Sequence, residues 1–119
     1  MVTIEELVER FATGVANQTD AIWRGDSKTG NKFAKQYMTA FEKLRAFGDA
    51  GRDALATLFT HPRPDVRMAA ASYLLRYRTI EATAILQELS QGDGLISFEA
   101  AQVLNYWKEG TWSLDPPDT

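Results

Sequence analysis

Apolar side chains at Ile4, Leu7, Val8, Phe11, Val15 and Ile22 recur at helical spacing, predicting a first helix that ends near Trp23. Thr3-Ile4-Glu5-Glu6 opens it as a capping box, in which the Thr3 hydroxyl accepts from the backbone N–H of Glu6. Gly25 suits a left-handed helix end, and Asp26 or Ser27 can cap the next helix. A second stripe, Phe33, Tyr37, Ala40, Phe41, Leu44 and Phe47, marks helix two, with Gly30 expected to make its first turn irregular. Gly48 to Gly51 breaks the chain, and a third helix over about Arg52–Thr60 buries Leu55, Leu58 and Phe59.

The segment His61-Pro62-Arg63-Pro64 then sets two prolines against an alanine- and leucine-rich run. Proline has a fixed φ and no N–H, and the first helical turn needs no N–H there, so Pro64 starts a fourth helix as readily as it stops the third. The pattern returns 30 positions later without a gap: ALATLFTHPRPDVRMAAASYLLRY (54–77) falls on AILQELSQGDGLISFEAAQVLNYW (84–107). Leu55 matches Ile85, Phe59 matches Leu89, Pro62 matches Gly92 and Val66 matches Ile96. Ala70-Ala71 match Ala100-Ala101, Leu74 matches Leu104 and Tyr77 matches Trp107. Such a repeat predicts helical hairpins that bury their faces by stacking. The paired alanines allow close backbone approach, so a larger side chain at Ala70 is expected to cost about 1–3 kcal/mol by overpacking. The expected architecture is all-α, about six helices in three antiparallel hairpins within a single domain, 1–119. It divides into a capping hairpin 1–48, repeats 49–78 and 79–110, and a tail 111–119.

Asp65-Val66-Arg67, followed by Ala69-Ala70 and Leu74, resembles the second helix of a short HEAT-type repeat, which implies an α-α superhelix. More widely, the chain is similar to a family of small bacterial HEAT-like proteins catalogued as a domain of unknown function. The matching features are LVERF (7–11), Asn31, Leu44 with Gly48, ALATLFTHPRPDVRMAAA (54–71) and Trp107-Lys108-Glu109-Gly110. The tail, Trp112-Ser113-Leu114-Asp115, departs from the family pattern. Members of this family resemble immunity proteins of bacterial polymorphic toxin systems. The resemblance therefore implies a non-enzymatic protein that binds one cognate toxin and blocks it.

Composition removes most alternatives. The 119 residues contain no cysteine, which excludes disulfides, thiolate metal sites and cysteine nucleophiles. No apolar run is long enough to span a bilayer. Thr3, Glu5 and Glu6 stand where a signal peptide would carry basic residues, so the expected compartment is the cytoplasm. His61, the sole histidine, precedes a proline and reads as a turn residue, leaving no zinc-type metal site. GDSKTG (25–30) lacks the preceding strand and the glycine directly before lysine that a phosphate loop requires. Glu5/Glu6 and Glu81/Glu88 read as helix-start charges and a solvated face. No catalytic residue, cofactor or enzyme activity is implied.

Charge changes the picture more. The net charge is −3, but residues 1–23 carry −3, 24–47 carry +4, 48–79 carry +2 and 80–119 carry −6. The acidic third supplies the candidate partner-binding residues Glu81, Glu88, Asp93, Glu99 and Glu109, joined by Trp112, as tryptophan often anchors interfaces. They suit a basic partner such as a nuclease-type toxin, with the free protein expected to be a monomer. The alternative is a nucleic-acid-binding HEAT-like protein using Lys28, Lys32, Lys35, Lys43, Arg63 and Arg67. A pI of about 5.1 argues against it. A third reading, a small scaffold for an unrelated cytoplasmic partner, has the same sequence signature as the first.

Overall fold

Thr3 caps the first helix as its sequence requires, its Oγ1 accepting from the Glu6 N–H at 3.1 Å. From that cap a computed structural model describes residues 2–111. These form six α-helices: α1 (Ile4–Trp23), α2 (Ser27–Arg45), α3 (Asp49–Ala56), α4 (Pro64–Leu74), α5 (Thr79–Ser90) and α6 (Leu95–Glu109). A 3-10 turn, Thr57–Thr60, continues α3, where the apolar pattern alone predicts a single helix to Thr60. The Thr57 hydroxyl donates to the Ala54 carbonyl, competing with the helical ladder at the point where it tightens. Among the described residues there is no strand, and no helix is long and apolar enough to cross a membrane. The helices gather into two compact units, one running to Leu58 and one beginning at Phe59.

In the first unit α1 and α2 pack antiparallel, because Gly14 meets Phe33 and Tyr37 while Gly30 meets Gln18, Ala21 and Ile22. Phe11 and Tyr37 meet edge-on, with ring centroids 5.6 Å apart. Leu7, Phe11, Val15, Ala40, Phe41 and Leu44 are buried as the two stripes require. Each large apolar side chain so buried contributes about 1.5–3 kcal/mol before the cost of ordering it.

Several expectations fail here, mostly through the closeness of the backbones. Gly30 does not disturb the start of α2; Asp26 caps that helix and Gly30 is buried against α1. Ala21, beside Gly30, takes the core position in the last turn of α1, leaving Ile22 half exposed. Phe47 is also half exposed, because α2 ends at Arg45 and the turn carries it off the stripe. Gly51 is not a breaker but a buried residue of α3 lying directly on the Leu44 carbonyl.

In the second unit Pro64 opens α4, and polar groups fix the elbow before it. Asp65 accepts from Arg63 Nε at 3.0 Å and from the Val66 N–H at 2.9 Å. The Arg67 guanidinium donates to the carbonyls of His61 (2.7 Å) and Pro62 (3.1 Å), and His61 Nδ1 accepts from the Arg63 N–H. The core is built from paired positions on three helices: Ala71 and Leu75 with α4, Ala82 and Leu86 on α5, Ala100 and Leu104 on α6. Ala70 and Ala100, matched by the repeat, are both fully buried. The Tyr77/Trp107 match breaks down. Trp107 packs on this core, but Tyr77 lies past the end of α4 and is more than a third exposed.

A Cβ added at Gly51 would overlap the Leu44 carbonyl oxygen, a backbone atom that has no rotamer to escape into. Gly51→Ala is therefore expected to destabilise the protein by about 2–3 kcal/mol in urea unfolding, although alanine is the better helix former.

Candidate protein-binding surface

Residues 91–94 turn the chain from α5 into α6, and α6 begins the surface with most to offer a partner. With α6 at about 100° per residue, Ala100, Val103, Leu104 and Trp107 face the core. The opposite face carries Leu95, Phe98, Gln102, Asn105 and Tyr106. Of these Leu95 is 49%, Phe98 60% and Tyr106 46% exposed, so three large apolar side chains stand in solvent on one helix face. Glu99 lies along one edge of that stripe, and Glu109 continues its line about one turn beyond Tyr106.

Glu99 differs from the other acids. It is half-buried, and no ion pair or side-chain hydrogen bond holds it among the described residues. Desolvation pushes its carboxyl above the usual glutamate range. Glu81 and Glu88 lie two turns apart on the exposed side of α5, and Asp93 is exposed in the α5–α6 turn. The candidate acids thus occupy two helices and a turn, with only Glu99 and Glu109 beside the apolar stripe. Trp112 lies outside the described residues.

The basic alternative fares differently. Lys28, Lys32, Lys35 and Lys43 are all exposed on α2, opposite Ala40, Phe41 and Leu44. Arg63 and Arg67, however, are engaged in the elbow: Arg63 forms an ion pair with the buried Asp65, and Arg67 holds two backbone carbonyls. Lys35 and Lys43 line one wall of a 790 Å³ groove between α1 and α2, whose other wall carries Glu6 and Glu9. Carboxylates at that position repel a phosphate backbone.

Two of these features lie beyond the sequence pattern as read above. The outer α6 stripe is hidden because Ile96, Ala100, Leu104 and Trp107 already satisfy the helical period; a second apolar phase, Leu95, Phe98 and Tyr106, is the available signal. The groove depends on which face α1 turns to α2, and a single helix pattern carries no such information.

The sign of the Glu99 effect on stability comes from its raised value. Its charged form is disfavoured in the folded state, so it lowers stability at pH above the folded value and ceases to do so as the carboxyl protonates. Glu99→Gln is expected to raise the midpoint of thermal unfolding at neutral pH, with the gain over wild type vanishing as the solution is acidified below the glutamate range.

Comparison with known proteins adds a fold relative and a family. The crystal structure of the protein RPA1889 from Rhodopseudomonas palustris CGA009 aligns with a TM-score of 0.89 at 24% identity, covering 99% of this chain and 96% of that one. At that identity the likeness is one of fold. No curated protein matches the chain. Residues 5–105, from the first turn of α1 well into α6, match the family described as "Domain of unknown function (DUF2019)", and the chain belongs to that family.

Proposed function

We propose that this chain is a non-enzymatic protein-binding module, an immunity protein that neutralises a cognate bacterial toxin in the cytoplasm by covering its working surface. The observation that carries the reading is the outer face of α6, where Leu95, Phe98 and Tyr106 stand about half exposed or more, with Glu99 along one edge and Glu109 at the C-terminal end. Aromatic and aliphatic side chains clustered in solvent and rimmed by charge are what a protein interface requires. A fully seated phenylalanine contributes about 2–3 kcal/mol, so a few such anchors suffice for a stable complex.

The acids supply the other half. Against a basic partner, such as a nuclease-type toxin, Glu99 and Glu109 at the stripe and Glu81, Glu88 and Asp93 nearby in sequence favour rapid, salt-sensitive association. A cation delivered to Glu99 would also compensate its desolvation. The nucleic-acid reading gains no support, because two of its six cations hold the elbow and two share their groove with carboxylates.

If a neighbouring gene encodes a toxin-like secreted protein, that protein is the partner to use. Reversing both charges, Glu99→Lys with Glu109→Lys, is expected to slow association with it by about tenfold at low ionic strength, with the difference shrinking in high salt. An on-rate unchanged by the double reversal would reject this surface.

A further inference from the structure

The groove between α1 and α2 has walls of opposite charge. The α1 wall carries Glu6, Glu9 and Arg10; the α2 wall carries Lys35 and Lys43. The small residues Gly14 and Ala40 lie between them, with Leu7, Thr13, Gln36 and Thr39 completing the lining. Among the described residues none of these five charged side chains forms an ion pair or a side-chain hydrogen bond within the chain. The polarity extends beyond the groove: residues 1–23 carry −3 and residues 24–47 carry +4. One helix is thus acidic, its neighbour is basic, and the charges facing the trough are left for a partner to meet.

We propose that this trough seats α1 of a second copy of the same chain, in a symmetric dimer where each copy's α1 lies in the other's groove. A ridge then fills a groove on both sides, as helix packing requires. The twofold arrangement sets the acids Glu6 and Glu9 of each copy against Lys35 and Lys43 of the other. Arg10, on the same ridge, lies where the two α1 helices run beside one another and meets the acids of its counterpart. A two-sided match of this kind is what an isologous interface demands of a single surface. The proposal departs from the monomer expected of the free protein in the toxin-binding reading. It concerns the first unit alone and is independent of the toxin-binding reading, which concerns α6. Leu7 and the aliphatic stems of the charged side chains line the groove beside the charges, so apolar contact and charge both hold the dimer, and the charged part makes it salt-sensitive.

Sedimentation velocity of the full chain tests this with two double variants, Glu6→Lys/Glu9→Lys and Lys35→Glu/Lys43→Glu. All four residues are exposed, and circular dichroism verifies that both variants fold. Wild type is expected to form a concentration-dependent dimer that weakens at least about tenfold between low and high salt. Each variant alone presents like charges on both walls and is expected to be monomeric. Mixed in equal amounts, the two variants regain opposite charges at both α1–α2 contacts, with only one Arg10 left facing introduced lysines, and are expected to form a heterodimer. Wild type that stays monomeric at about 0.5 mM in low salt, where a charge-held pair is strongest, would overturn the proposal. So would a dimer indifferent to both variants, or a mixture that fails to associate.

Discussion

Helix backbones in this protein approach one another over residues that have almost no side chain, and the rest of the structure depends on that approach. Gly14 lies on Phe33 and Tyr37, Gly30 on Ala21, and Gly51 on the Leu44 carbonyl. In the second unit Ala71, Ala82 and Ala100 leave room for Leu75, Leu86 and Leu104 to interlock. Dispersion falls off steeply with distance, so close approach lets short helices of 8 to 20 residues bury enough surface to stay folded. It also fixes each helix in rotation, which decides which side chains are turned out to solvent.

The outward-facing residues show what that rotation leaves available. On α6, alanines and a leucine take up the core side, and Leu95, Phe98 and Tyr106 are left on the other. On α1 and α2 the same close packing leaves a shallow trough between charged walls. The two surfaces differ in chemistry. The α6 face combines apolar anchors with acids and suits a lasting complex with a basic protein. The α1–α2 trough sets walls of opposite charge beside aliphatic lining and suits a salt-sensitive contact.

Much of this is legible in the sequence, because helix starts and stops have local causes. Thr3, Asp26 and Pro64 begin helices where their chemistry says they should, and the 30-residue repeat places Ala70 and Ala100 in equivalent buried sites. The misreadings fall where a long-range contact outweighs a local preference. Gly30 reads as weakening a first turn and Gly51 as a breaker, yet each leaves the space a neighbouring helix needs. Arg67 reads as a surface cation, but the double-proline elbow leaves two carbonyls that its guanidinium satisfies. Of the candidate site, the acids of α6 are apparent in the sequence and the apolar residues beside them are not. A helix with two apolar faces shows one of them only after the other has been assigned to the core.

The proposed function requires α6 to present its outer face to a partner protein. Hydrogen-exchange footprinting of the chain bound to the proposed cognate toxin tests this most directly. The result predicted is slowed amide exchange concentrated along residues 95–109, with the α1–α2 hairpin unchanged by the toxin. Protection confined to other helices, or no complex with that toxin at all, would contradict it.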